Sequence, residues 1–343
     1  MRAPASLALA ALISLPGAAF AATTAWVSSN HIQVVDLDEG RVVARLALQE
    51  FIHDMEFSPD GSRVYVGSSK GFRVADARKV EFTQRLSEVP TVAVSVSKDG
   101  TRVVTLTSPP KDDVRVARRA GLPLPPATLT VYAADSMTEV TAWDVDGLAR
   151  DAAIAPDAST VYVVEPKTGA MKVYSVDGKL TETIQVTPRP TGEGHLDTML
   201  GRMEIAPDGG SIAVPVTNAS ASSIAEVDLT GTKAERVNLA GLGHARRIQG
   251  LAFDDDGSGV YVTAVASMVK FGGHGFPIAW KKYPMNFVDV AAVKGDGRTV
   301  MVTPTFSKTN KSGGVALVGE SGEVEKTVEL MDMSPFLVVV QPD

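Results

Sequence analysis

Apolar and polar residues alternate along most of the chain in short stretches, which is typical of β-strands with one buried face. Six times, such a stretch is followed by an Asp-containing turn and by a second stretch rich in Val, Ile and Tyr. These six copies surround Asp60, Asp99, Asp157, Asp208, Asp256 and Asp296. An Asp side chain bonds the backbone of such a turn, and the Gly that usually follows adopts positive φ, so each copy predicts a β-hairpin. In the third copy Ala158 replaces this Gly, which predicts a turn of a different type.

A seventh copy of the pattern is divided between the two ends of the chain. The segment Pro335 to Asp343 has the first strand and the Pro and Asp of the turn, whereas stretches matching the other three strands occupy 25–28, 32–37 and 42–46. A closed ring explains this division, because pairing of the two terminal segments removes both open sheet edges. The turns recur at intervals of about 40 to 60 residues, enough for a four-stranded blade. A β-sandwich with similar turns explains neither the period nor the divided copy. The pattern therefore predicts an all-β, seven-bladed β-propeller whose closing blade is split between the N- and C-termini.

The first residues have a different pattern, which is typical of a secretory signal peptide. Arg2 supplies a positive start, Leu7 to Leu15 is a short apolar stretch, and Ala19 to Ala21 has the small-x-small form of a cleavage site. The apolar stretch is shorter than the roughly 20 residues needed to span a bilayer. We therefore expect 1–21 to be a signal peptide and 22–343 a single propeller domain without a membrane span. The protein is expected to be periplasmic or secreted.

Composition narrows the possible functions. The chain of 343 residues contains no Cys, which excludes disulfides, thiolate zinc sites, c-type haem attachment and Cys nucleophiles. Its formal net charge of −7 argues against a nucleic-acid partner, which usually meets a concentrated basic face. We expect no metal and no cofactor bound by this chain.

Several segments resemble one family of repeats. The run Ser58 to Gly61 followed by Val64 to Val66, the run Val260 to Thr263, and the endings Val34 to Leu37 and Glu226 to Leu229 are similar to the YVTN-type β-propeller repeat. That repeat has an SPDG turn, a YVTN strand and a strand ending in VIDL. The resemblance implies a propeller architecture and specifies no activity.

Ligands of propellers usually bind at the face formed by the loops that lead into the innermost strands. Counting seven residues back from each turn Asp predicts the mouth of the central channel there. The count places polar residues at four of seven positions, and further candidates lie in two neighbouring loops. The candidate ligand-binding residues are His53, Arg150, His195, His244, Arg246, Gln249 and Asp289. Imidazole can act as a metal ligand or an acid–base group. The alternative, which we favour, is that the loop histidines are ordinary surface residues, since no paired metal motif supports them.

The segment Ser108 to Thr128 lengthens one loop of the second blade. It contains Arg115, Arg118 and Arg119 and then a Pro-rich stretch able to adopt polyproline II. Long loops inside compact repeats are usually functional or disordered, and we expect this one to bind a protein partner.

Three functions remain open from the sequence. The first, which we favour, is an exported propeller that binds a ligand or a protein as a scaffold, without catalysis by this chain alone. The second is the non-redox propeller subunit of a periplasmic quinone-dependent amine dehydrogenase-like complex. The chain looks like such subunits in size, export signal and Pro-containing insertion, and lacking Cys it forms neither a haem site nor a Cys–Trp crosslink. The third is a lactonase- or lyase-type propeller enzyme using His53, Asp289, Arg150 and His244.

Overall fold

The structure is a computed structural model that describes residues 23–166, 168–187, 199–200, 202–217, 222–230, 237–241, 248–264, 266–272, 277–295, 297–304, 312–330 and 335–342. The predicted signal peptide lies outside these residues. No helix among them is long and apolar enough to cross a membrane. The strands form seven antiparallel sheets arranged as a β-propeller, which confirms the predicted fold class.

The sheet that closes the ring, blade 7, combines both ends of the chain. It contains β1 (Thr24–Ser28), β2 (His31–Asp36), β3 (Arg41–Ala47) and β29 (Leu337–Val340). Blade 1 contains β4 (Ile52–Phe57), β5 (Arg63–Ser68), β6 (Gly71–Asp76) and β7 (Glu81–Arg85). Blade 2 contains β8 (Thr91–Val96), β9 (Arg102–Thr107), β10 (Ala127–Ala133) and β11 (Thr138–Val145), with the helix α1 (Lys111–Ala120) between β9 and β10.

The remaining blades follow in chain order. Blade 3 contains β12 (Asp151–Ile154), β13 (Thr160–Glu165), β14 (Ala170–Ser175) and β15 (Leu180–Gln185). Blade 4 contains β16 (Met199–Leu200), β17 (Glu204–Ile205), β18 (Ser211–Thr217), β19 (Ser222–Asp228) and β20 (Val237–Gly241). Blade 5 contains β21 (Ile248–Phe253), β22 (Gly259–Ala264), β23 (Ser267–Gly272) and β24 (Pro277–Lys282). Blade 6 contains β25 (Asp289–Ala292), β26 (Thr299–Thr303), β27 (Gly313–Val318) and β28 (Val324–Leu330).

Ring closure depends on one strand pair between distant parts of the chain. The sheet order of blade 7 is β29-β1-β2-β3, with Trp26 opposite Val339 and Ser28 opposite Leu337. The Thr24 hydroxyl donates a hydrogen bond of 2.7 Å to Gln341 Oε1 outside the ladder. The divided seventh copy predicted from the sequence is thus the closing blade.

The hydrophobic core lies between the blades. Seven buried apolar clusters are found among the described residues, and each lies between two neighbouring blades. Between blades 7 and 1, for example, Trp26 packs edge-on against Phe57 with ring centroids 5.7 Å apart. Because each strand alternates its side chains between two faces, every blade contributes to two of these clusters.

The Asp-containing turns lie together on one face of the ring, which we call the lower face. In blade 1 the Ser62 backbone N–H donates to Asp60 Oδ1 at 3.1 Å, and Gly61 has a φ of 64°. A Cβ on Gly61 would meet the carbonyl oxygen of Pro342 at 2.7 Å, and Gln341 Nε2 donates to the Gly61 carbonyl. The Pro-Asp-Gly pattern therefore also joins neighbouring blades, because the turn Gly of one blade lies against the turn Pro of the preceding one.

The prediction of a different turn at Ala158 was wrong. Ala158 has a φ of 61°, close to that of Gly61, and its N–H donates to the Ala155 carbonyl at 2.9 Å as Gly61 donates to Ser58. The hydrogen bonds of the turn outweigh the roughly 1–2 kcal/mol that a Cβ costs in this conformation.

Candidate functional site

The central channel contains a cluster of charged side chains from four blades. Three of them, Asp54, Asp151 and Asp289, occupy equivalent positions on innermost strands, since they lie opposite Gly67, Val164 and Val302 respectively. The other members are Glu56, Arg202 and Glu204. We call these six residues the channel cluster.

Arg202 spans the channel. It precedes β17 in blade 4, and its Nη2 lies 3.0 Å from Asp54 Oδ1 on the innermost strand of blade 1. These blades are three positions apart in a ring of seven, so the ion pair crosses from one side to the other. The Asp54 side chain is almost fully buried, whereas Arg202 keeps 36% of its side chain exposed. The side chain of Arg202 thus lies across the central channel.

The aspartates of the cluster also connect neighbouring blades. Asp54 Oδ2 accepts the Val94 N–H of blade 2 at 2.8 Å, Asp151 Oδ2 accepts the Met203 N–H of blade 4 at 2.6 Å, and Asp289 Oδ2 accepts the Val338 N–H of blade 7 at 2.9 Å. Each of these N–H groups belongs to the inner edge of the next blade. The carboxylates are therefore inter-blade bonds as well as channel charges.

Burial changes the protonation of the cluster. Burial raises the pKa of Asp151 to about 8 and those of Glu204 and Asp289 to about 7. Burial also raises the pKa of Asp54 and, together with the charges of Asp54 and Glu204, raises that of Glu56 well above its usual value. For Arg202, burial lowers the pKa, but the surrounding carboxylates outweigh this and raise it. Five carboxyls thus share one guanidinium, and some of them hold protons near neutral pH.

Two of the predicted mouth residues, His53 and Arg150, lie one position before Asp54 and Asp151 of the channel cluster. In blades 1, 2 and 5 a β-bulge at the start of the innermost strand sets His53, Val92 and Gln249 apart from the ladder. A bulge redirects its extra residue, so His53 is half-buried and Gln249 is exposed, while the following residue is buried. Arg150 is likewise exposed, beside buried Asp151. Of the predicted residues, Asp289 is the one that the structure places inside the channel cluster.

An aromatic group lies at the start of blade 1, on the face opposite the turns, which we call the upper face. The Phe51 ring stacks on Phe336 with centroids 4.5 Å apart and an interplanar angle of 6°. His53 meets Phe51 edge-on at 5.1 Å. Burial and the positive charge of Lys111 lower the pKa of His53, so its imidazole is neutral at pH 7. Phe51 itself is 51% exposed.

Three predicted ligand-binding residues, His195, His244 and Arg246, lie outside the described residues. In the part of the chain that the structure describes, no group of three or more His, Asp or Glu side chains has an arrangement that could hold a metal ion.

The insertion of blade 2 differs from its prediction as a loop, because it contains α1. Asp112 and Asp113 lie in the first turn of this helix, Arg118 and Arg119 lie in the last, and Gly121 ends it with a φ of 66°. This arrangement complements the helix dipole and provides a left-handed C-terminal cap. Only Ala117 of the helix is buried. The predicted partner-binding residues Arg115, Arg118 and Arg119 are all exposed on the upper face.

The sequence analysis missed five residues of the channel cluster. A signal for them exists: the inner-strand segments around Asp54, Asp151 and Arg202 each carry two charged residues inside a largely apolar stretch. Counting back seven residues from each turn Asp passed over Asp54 and Asp151, because each of them lies six residues before its turn Asp.

Comparison with known proteins supports the fold. No protein-family model and no curated protein matches the sequence. Among solved structures, the chain is similar to a functionally unknown protein from Desulfotomaculum acetoxidans DSM 771, with 14% identity, a TM-score of 0.69, and coverage of 93% of this chain and 99% of that one. It is also similar to Kuenenia stuttgartiensis hydrazine synthase, with 15% identity, a TM-score of 0.64, and coverage of 86% of this chain and 90% of that one. At these identities the likeness shows a shared β-propeller fold.

Proposed function

We propose that the protein is an exported propeller, periplasmic or secreted, that acts as a scaffold by holding a protein partner or a small ligand on its upper face. The observation that carries this proposal is the exposed aromatic side chain of Phe51, fixed at the channel mouth. The channel aspartates bond to neighbouring backbone groups, whereas the Phe51 side chain on the upper face is 51% exposed. Binding on the upper face therefore fits the geometry better than chemistry inside the channel.

The proposal is tested on the full chain, produced with a C-terminal tag in its source organism and isolated gently from separated cell fractions. We expect an exported protein that lacks residues 1–21 and carries a bound protein or small molecule in stoichiometric amount. A protein that keeps residues 1–21 in the cytoplasm contradicts export. A protein isolated with nothing bound contradicts the scaffold role.

A second candidate is the non-redox subunit of a quinone-dependent amine dehydrogenase-like complex. Its support is the resemblance in the insertion of blade 2, which in this structure carries an exposed helix with three arginines. The same isolation separates the two candidates. Haem or quinone absorbance in the purified complex, carried by a companion chain, favours the dehydrogenase.

The lactonase- or lyase-type enzyme remains a prediction without structural support of its own. Asp289 Oδ2 already accepts a hydrogen bond from the Val338 backbone N–H, so this carboxylate oxygen bonds blade 6 to blade 7. Metal analysis of the purified protein and alanine substitution of His53 and His244 test this possibility. If neither metal nor ligand binding is lost, the enzyme hypothesis fails.

A further inference from the structure

Among the described residues, the exposed apolar side chains of the upper face lie in neighbouring loops. Six large apolar side chains are well exposed among the described residues, and two of these, Val140 and Leu180, lie on outermost strands. The other four lie in upper-face loops of blades that follow one another in the ring. They are Phe51 between blades 7 and 1, Val89 between blades 1 and 2, and Val116 and Leu122 in the insertion of blade 2. We call these four residues, with the basic residues Lys70, Lys111, Arg118 and Arg119, the docking sector.

Backbone contacts join the first two loops of the docking sector. The Ser69 N–H donates to the Phe51 carbonyl at 2.8 Å, and Ser69 Oγ accepts the Phe51 N–H at 3.2 Å. On the other side of the same turn, a Cβ on Gly71 would come within 1.9 Å of the Ser87 carbonyl oxygen. The Ser87 hydroxyl in turn accepts the Val89 N–H at 3.0 Å. Phe51 and Val89 thus belong to one continuous surface.

Further contacts connect this surface to the insertion. The Ser108 N–H, just before α1, donates to the Pro90 carbonyl at 2.9 Å. The charge of Lys111, the first residue of α1, reaches His53 and lowers its pKa, and His53 lies against the Phe51 ring. The insertion therefore starts beside the loops that carry Phe51 and Val89.

Glu50, the residue before Phe51, is fixed by a buried ion pair and a hydrogen bond. Glu50 Oε1 pairs with Arg73 Nη2 at 2.7 Å, and Glu50 Oε2 accepts the Ser68 hydroxyl at 2.7 Å. The Glu50 side chain is 4% exposed. Burial raises the pKa of this carboxyl, but the bonds from Ser68 and Arg73 outweigh that and lower it, so it is charged at neutral pH. A large aromatic side chain on an ordered loop loses little freedom on binding, which is the property of an interface anchor.

The charge around these apolar residues is positive, although the chain as a whole carries −7. The helix α1 contains two acidic residues but four basic ones, namely Lys111 and three arginines. Arg115 pairs with Asp112 at 2.8 Å, whereas no ion pair is made by Arg118 or Arg119 within the described ranges. Basic residues around an apolar surface attract a negatively charged partner and repel a basic one.

We propose that the docking sector binds a separate protein whose contact surface has an apolar depression bordered by carboxylates. Phe51 and Val116 enter the depression, and Arg118 and Arg119 face the carboxylates. This inference rests on the proposed scaffold function and names the kind of partner that the scaffold holds.

The test compares variants of the full chain that differ at one exposed position. Val116→Asp and Val140→Asp place the same charge on blade 2, the first inside the docking sector and the second on the outermost strand. Phe51→Ala and the double variant R118E/R119E probe the anchor and the charge. The protein that co-purifies with the wild-type chain from its source organism is identified, purified and titrated against each variant at low and high salt. Circular dichroism confirms that each variant is folded.

We expect V116D and F51A each to weaken the affinity about 30-fold or more, as loss of an interface anchor does. We expect R118E/R119E to weaken it about tenfold at low salt with a flatter salt dependence, and V140D to leave it within about twofold. If a bound protein keeps its affinity for V116D and F51A, or has a basic contact surface, the docking sector is wrong while the scaffold function stands. If the companion is a second copy of this chain or a nucleic acid, the inference also fails. If the wild-type chain binds nothing, both proposals fail.

Discussion

Replacing Arg202 with methionine should destabilise the protein much more at pH 8 than at pH 5. Arg202 lies 3.0 Å from Asp54 and is surrounded by the carboxyls of Asp151, Glu204 and Asp289. Methionine keeps much of the volume of the side chain and removes its charge, so the variant isolates the electrostatic role of the guanidinium.

The magnitude follows from the burial of the pair. Removing one partner of a buried ion pair costs about 3–5 kcal/mol. Since Arg202 keeps 36% of its side chain exposed, solvent screening places the cost near the low end, at about 3 kcal/mol at pH 8. For a domain of this size that corresponds to a fall of about 4–5 °C in Tm. At pH 5 the carboxyls with a pKa of about 7 to 8 are protonated, and the loss shrinks to about 1 kcal/mol, the value of one hydrogen bond.

The assay is urea and thermal denaturation followed by circular dichroism at both pH values and constant ionic strength. Arg150→Met is the matched control, because Arg150 is an exposed arginine beside the channel, and we expect it to change stability by less than about 0.5 kcal/mol. Equal destabilisation of R202M at pH 5 and pH 8 would refute the idea that Arg202 acts by balancing buried carboxylates.

Three further outcomes follow from the same structure. In the wild-type protein, folding raises the pKa of Asp151, Glu204 and Asp289, so their contribution to stability is complete below about pH 4 and is lost as the pH rises through 7 to 8. Urea denaturation should therefore show a free energy of unfolding that falls from pH 5 to pH 9. A flat profile would contradict this prediction. Deletion of 335–343 removes β29 and leaves one edge of β1 unpaired. The free energy of unfolding should therefore fall by at least about 5 kcal/mol. A truncated protein with the same melting temperature as the intact one would exclude the split blade. Gly61→Ala should lower the free energy of unfolding by about 1–2 kcal/mol more than Gly100→Ala, as measured by chemical denaturation. Both glycines have φ near 65–70°, but only a Cβ at position 61 would lie too close to a backbone oxygen, that of Pro342. Equal losses of stability would mean that Pro342 moves away without cost.

The fold could be predicted because its signals are local and repeated. Each Asp-containing turn forms its hydrogen bonds within a few residues, as Asp60 does with Ser58 and Ser62, so the sequence around each copy contains the whole motif. The division of the seventh copy then required pairing between the two ends, which β1 and β29 show.

The channel cluster could not be predicted in the same way, since its bonds join residues far apart in the chain. Asp54 bonds to Val94 and pairs with Arg202, and neither partner can be identified from the segment around Asp54. The count of seven residues from the turn Asp also ends one residue beyond Asp54, at His53, which is the extra residue of a bulge.

The helix in the insertion was missed for another reason. Acidic residues at its start, arginines at its end and Gly121 after it are the usual signals of a helix, and all were present in the sequence. The sequence analysis interpreted the segment as a long loop that ends in a Pro-rich stretch. The prolines on both sides mark the boundaries of α1 instead of excluding it.

The pairing of β1 with β29 has a consequence for synthesis and folding. Trp26 and Val339 meet across nearly the entire length of the chain, so the ring cannot close until residues 337–340 have left the ribosome, after all the other strands. Until then the nascent chain holds β1 with an unpaired edge that can associate with other strands. Contacts of such large sequence separation also make closure a late and slow step. A chaperone that covers 24–28 during synthesis would therefore be expected to raise the yield of closed rings.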